Sequence, residues 1–167
     1  MKERKMNNKG FSLVELIIVI AIMAILIVVL APQYLKYVEK SRNSTDVSNA
    51  TEIVTALQVY AADPDATTPV PAGEFEIKIV GNADATVPSG FATDALKEAG
   101  LLDASNKLTT RCVSKSNWTA YTIKAKSVDG GLKFTYTASG GSAASKFADL
   151  MSGKSSSSNE SDEPDEP

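Results

Sequence analysis

The residues that usually carry chemistry are scarce in this chain. It has no histidine, which removes the commonest general base and metal ligand, and with them Ser-His-Asp, Cys-His and His-zinc arrangements. Cys112 is the only cysteine, so no intrachain disulfide can form, and a lone thiol does not fix the redox compartment. No phosphate-cradling glycine loop or paired-carboxylate arrangement stands out, and Gly130-Gly131 and Gly140-Gly141 read as turns. Asp63 and Asp65 could be read as a cation site, but no further carboxylate is spaced to support them, and Pro64, Pro69 and Pro71 make a solvated loop the better reading. No catalytic, cofactor or metal site is assigned, and the chain does not read as an enzyme.

Glu15 is the titratable group out of place. From Leu16 to Leu35 no side chain is charged, and Leu16 to Leu30 is apolar throughout. A helix over Phe11–Leu30 rises about 1.5 Å per residue and covers roughly 30 Å, the thickness of a bilayer's hydrocarbon core. A carboxylate inside such a helix costs about 2.5–3.5 kcal/mol on insertion scales, so it needs a partner. A cleaved secretory signal is the plainer alternative, and Val29-Leu30-Ala31 resembles its cut site. Against it, Pro32 would follow the cut directly, and the run exceeds the usual apolar stretch of about 7–15 residues.

The segment Lys9-Gly10-Phe11-Ser12-Leu13-Val14-Glu15-Leu16, followed by the apolar run and Pro32, resembles the class III signal of type IV pilins and pseudopilins. The resemblance covers Lys2 to about Tyr60. It implies that a prepilin peptidase cuts after Gly10 and that the new N-terminus, Phe11, is methylated, so that the apolar helix stays with the mature chain. Lys2, Arg4, Lys5 and Lys9 would hold the leader on the cytoplasmic face. The freed amine of Phe11 on one copy then becomes the partner for Glu15 on the next, in a dry bundle where the attraction exceeds that in water; an ordinary anchor whose Glu15 faces a membrane partner is the rival. Pro32 cannot donate a helical hydrogen bond, so a bend or loosened segment is expected there, or else a plain exit from the membrane.

Beyond the membrane segment, Tyr34, Leu35 and Val38 continue the helix, and Glu39-Lys40-Ser41-Arg42-Asn43 is expected to sit in water. Val47, Ala50, Val54, Leu57 and Ala61 recur at steps of three and four, giving one apolar stripe. Phe75, Ile77 and Ile79 alternate with charged residues, Tyr121, Ile123 and Ala125 alternate with Thr122, Lys124 and Lys126, and Leu132, Phe134 and Tyr136 follow Asp129-Gly130-Gly131, so that a hairpin joins the last two strands. Phe91 to Ala99 suits a short helix, with Ser89 as N-cap and Gly100 as its stop. The expected fold is α+β: a long N-terminal helix packed on a small antiparallel sheet. The expected divisions are a cleaved leader 1–10, a membrane and filament-core helix 11–35, an amphipathic helix 36–62, a globular head 63–151, its last part a short helix over Ala143 to Met151, and a disordered acidic tail 152–167.

The net charge of −3 includes a leader of net +3, so the chain without it stands near −6. That balance argues against a dedicated nucleic-acid binder. Lys107, Arg111, Lys115, Lys124, Lys126 and Lys133 nevertheless gather around Trp118 and Tyr121, which suits either a polyanion patch or a soluble sheet face. Asn-x-Ser/Thr triplets at Asn43, Asn49, Asn117 and Asn159 are taken as chance. The resemblance implies a homo-oligomeric filament serving adhesion, twitching motility or surface contact, with the prepilin peptidase, an assembly platform and its ATPase as partners. It also implies a bacterial inner-membrane protein before assembly and an extracellular pilus after it. A pseudopilin of a type II secretion or DNA-uptake machine, or a minor tip adhesin, shares the same helix.

Overall fold

The computed structural model describes residues 12–128 and 131–153. The expected tail lies mainly outside them, as do Asp129 and Gly130. The elements are α1 (Leu13–Ala62), β1 (Glu74–Val80), α2 (Phe91–Glu98), β2 (Ala120–Val128), β3 (Gly131–Ser139) and α3 (Ser145–Met151). The chain divides into two compact units, one ending at Val38 and one beginning at Glu39.

The three strands form one antiparallel sheet in the order β1-β2-β3. Ile77 lies opposite Ile123, and Ile123 opposite Tyr136, so the alternation in each strand delivers its apolar residues to one face. That face shares a core with Ala50, Ile53, Val54, Leu57 and Tyr60 of α1 and with Phe91 and Leu96 of α2. Phe147 of α3 closes it, stacked on Tyr121 with ring centroids 4.8 Å apart and edge-on to Trp118 at 5.3 Å. The α+β class read from the sequence is the observed one.

The caps of α2 differ in part from expectation. Its N-cap is Gly90, at φ 87°, and not Ser89, because the chain turns through a left-handed residue that only glycine adopts cheaply. Its C-terminus closes as expected at Gly100: the Gly100 amide bonds the Lys97 carbonyl at 3.0 Å and the Leu101 amide bonds that of Leu96 at 2.9 Å, a Schellman motif.

The larger departure is at Glu39, expected in water and found buried, as is Asp46 seven residues on. Seven residues is close to two helical turns, so both carboxylates project from one side of α1. There they receive the segment 112–118, which forms no strand and whose amides need acceptors. Glu39 Oε1 accepts hydrogen bonds from Ser114 Oγ (2.6 Å) and from the amides of Lys115 (2.9 Å), Ser116 (2.9 Å) and Asn117 (3.2 Å). Asp46 accepts from the Val113 amide at 2.8 Å, the Ser114 amide at 3.0 Å, Trp118 Nε1 at 2.8 Å and Cys112 Sγ at 3.4 Å. With a single cysteine no intrachain disulfide can tie this segment down; two carboxylates do so.

Burial raises the Glu39 carboxyl, but the hydrogen bonds from Ser114, Ser116, Lys115 and Asn117 outweigh it and hold its pKa at about 2. Burial first, and then the negative charge of Asp46, push the Cys112 thiol up to about 12. That thiol is a buried donor and not a reactive nucleophile.

Three outcomes are expected. Leu57→Ala, at a fully buried position, will lower the unfolding free energy by about 2–5 kcal/mol in urea titration, whereas Val59→Ala, 63% exposed, will change it by less than about 0.5 kcal/mol. Asp46→Ala leaves the buried Ser114 amide, the part-buried Val113 amide and the Trp118 indole without an acceptor and will cost about 3 kcal/mol; maleimide will then label Cys112, which stays protected in the parent chain. The Glu39 pKa is depressed on folding, so its contribution is complete above the ordinary carboxyl value of 4.5 and is lost as pH falls towards about 2. The gap in urea midpoint between parent and Glu39→Gln will therefore shrink across that acid window and hold steady above it.

Candidate functional site

Among its described residues the first unit offers a surface and no reactive centre. α1 begins at Leu13, and Ser12 sits at its N-cap position with Glu15 three residues on. The Ser12 amide donates to Glu15 Oε2 at 3.0 Å. This is the reach-back half of a capping box, in which an N3 carboxylate satisfies the N-cap amide. Glu15 therefore has a hydrogen-bond donor within its own chain, and the positive end of the helix dipole lies beside it. The spacing Ser12-x-x-Glu15 was readable as a capping signal, but the search for an opposite charge passed over it.

From Leu16 to Leu30 the large apolar side chains are exposed on every side of the helix, from 45% at Val19 to 74% at Val28. An amphipathic helix would show one covered stripe; this one shows none. It is the one helix among the described residues long and apolar enough to cross a membrane, with a mean hydropathy of 3.4 over its most apolar window. Helical geometry continues through Pro32, whose missing amide leaves the Val28 carbonyl without its usual donor. Gly10 and Phe11 lie outside the described residues.

The six-cation patch does not hold together as a polyanion platform. Trp118 and Tyr121 are fully buried, so neither ring is available to stack on a base. Lys107 and Arg111 both meet Asp84, at 2.7 and 3.6 Å, and Lys124 lies 3.8 Å from Glu74 and 3.7 Å from Glu76. Lys126 pairs in register with Glu74. The sheet face thus mixes both signs. Asp63 Oδ1 accepts the Asp65 amide at 2.8 Å, an Asx turn of the kind that ends helices, and no cluster of three metal-ligating side chains occurs among the described residues.

With this geometry in place, comparison with known proteins is informative. Residues 5–31 match the family model described as the prokaryotic N-terminal methylation motif. The chain is 39% identical over 59 residues to the type IV major fimbrial protein FimA of Dichelobacter nodosus, covering 35% of this chain and 38% of that protein. It is 34% identical over 59 residues to the type IV major pilin protein PilA of Myxococcus xanthus, covering 35% of this chain and 27% of that one. The chain thus spans well under half the length of these relatives, and no solved structure matches it. The family model covers the segment that bears Glu15. Over that segment the chain is similar to type IV pilins.

Proposed function

We propose that the chain is a prepilin, cut after Gly10, methylated at Phe11 and polymerised into a type IV pilus through its N-terminal helix. The observation that carries this reading is the apolar girth of Leu16 to Leu30, exposed on every side of the helix and lying within the segment that matches the methylation motif. Water does not tolerate such a surface. Lipid covers it first, in the cytoplasmic membrane of a bacterium, and the same helix of neighbouring copies covers it in the filament.

In this mechanism Glu15 changes partner. In a single chain its carboxylate accepts the Ser12 amide, which satisfies a donor but leaves the charge uncompensated. In the filament it meets the methylated amine of Phe11 on an adjacent copy, and the low dielectric makes that attraction strong. Pro32 bends or loosens the rod so that packed copies accommodate their heads. Prepilin peptidase processes the chain, and the assembly platform with its ATPase drives insertion. The head, from Glu39 onward, is displayed for surface contact and adhesion, and retraction of the filament supplies movement.

Mass spectrometry of filaments sheared from the cell surface tests the reading. The expected result is an abundant mature chain beginning at N-methylated Phe11, and loss of filaments for Glu15→Ala and Glu15→Val. Recovery of the mature chain only in the membrane fraction would overturn the pilus assignment in favour of a pseudopilin. Normal filaments from both Glu15 variants would overturn the pairing.

A further inference from the structure

Above the run Leu16–Leu30 the rod does not turn polar at once. Tyr34 is 67% exposed, Leu35 65% and Tyr37 70%, whereas Tyr60 and Tyr121 of the head are buried. On a helix of about 3.6 residues per turn, Tyr34 and Tyr37 lie on one side and Leu35 about 100° round from Tyr34. Three large side chains thus form a collar that nothing among the described residues covers. Gln33 precedes them, and Lys36, between Leu35 and Tyr37, is the first charged side chain after Glu15.

Height along the rod identifies what the collar meets. α1 starts at Leu13 and keeps helical geometry through Pro32. At a rise of about 1.5 Å per residue, Leu30 stands ~26 Å above Leu13, Tyr34 ~32 Å and Tyr37 ~36 Å. A hydrocarbon core about 30 Å thick, in a bilayer of about 40–45 Å with its headgroups, leaves roughly 5–8 Å of headgroup layer on each side. The carboxylate of Glu15 and the cations among residues 2–9 resist deeper insertion of the N-terminal end, which sets Leu13 near the inner edge of the core. Both phenols then fall at the outer headgroup layer, and a tilt of about 20° lowers them by only about 2 Å. An amphipathic ring is favoured there, because its body meets hydrocarbon while its hydroxyl meets water and lipid oxygens. Side chains lean towards the N-terminus of their helix, so Leu35 leans into the hydrocarbon below.

We infer that Tyr34 and Tyr37 anchor the unassembled chain in the outer leaflet, their rings among lipid headgroups, and fix how deep the rod sits before it joins a filament. The anchor rests on the membrane stage of the function proposed above, and it names a lipid layer as the partner of a collar that spanning alone does not require. Entry into a filament then lifts both rings out of that layer, so the anchor contributes to the work of extraction.

Tryptophan substitution in the full chain, reconstituted at high dilution in bilayers of brominated phosphatidylcholine, tests this. Tyr34→Trp and Tyr37→Trp keep an amphipathic ring, Met23→Trp reports the middle of the rod, and the parent chain with its buried Trp118 supplies the baseline. The reporters at positions 34 and 37 should be quenched several-fold more by bromine near the headgroup than by bromine near the chain end, and Met23→Trp the reverse. Absence of quenching at Met23→Trp would overturn the membrane reading and the anchor with it. Quenching at Met23→Trp with positions 34 and 37 unquenched and emitting as rings in water would overturn the anchor alone. Unquenched but blue-shifted emission at 34 and 37 would put a second copy on the collar and overturn the lipid partner, and quenching there chiefly by the deep bromine would overturn the headgroup position. In a Leu30→Trp chain, Tyr34→Ser with Tyr37→Ser should let the rod slide outward and raise the shallow-to-deep quenching ratio about two-fold; an unchanged ratio would overturn the claim that the rings set depth.

Discussion

α1 is one helix that must satisfy two different surroundings. Its first half is apolar around the whole circumference, so no single partner face suffices, and its second half presents one stripe to a core while polar side chains face outward. Helical hydrogen bonds are internal to the segment, which is why the same backbone is viable in lipid and in water. The side chains decide which part belongs where. The second half supplies the stripe on which the core of the head is built.

The head is built with little sheet. Three strands and two short helices bury Trp118, Tyr121, Phe147 and the Ile77–Ile123 pair against α1. A three-stranded sheet is marginal without such a helix to pack on. The segment between α2 and β2 sends Leu101, Leu108, Cys112 and Trp118 into the core, and polar bonds secure the backbone of residues 113–117. Glu39 and Asp46 act there as acceptors for whole runs of amides, and hydrogen bonds to a charged acceptor are stronger than those between neutral groups. Neither carboxylate is buried as a bare charge, since the donors that surround it replace the water it lost.

Much of this was legible in the residues. The run Leu16–Leu30, the stripe Val47–Ala61 and the alternations in the three strands are periodic signals, and period is a local property that survives into the fold. The position of Glu15 inside an apolar run was legible for the same reason. The destination of Glu39 was not. A glutamate followed by Lys40, Ser41, Arg42 and Asn43 looks solvated by composition, and nothing nearby in sequence names the amides of Lys115, Ser116 and Asn117 as its donors. Trp118 and Tyr121 misled in the opposite sense: interleaved with cations in sequence they suggested a stacking platform, whereas the pleat turns Tyr121 to the core and Asp46 draws in the Trp118 indole.

The amino-acid sequence by itself determined the class of the fold and the existence of an uncovered apolar helix with a carboxylate near its start, because side-chain period and transfer free energy act over a few residues. Only the tertiary structure decided which acids are held inside and that Cys112 lends its proton to Asp46. Those outcomes join residues some 70 positions apart. A hydrogen bond depends on where two groups meet in space, and no local pattern carries that distance.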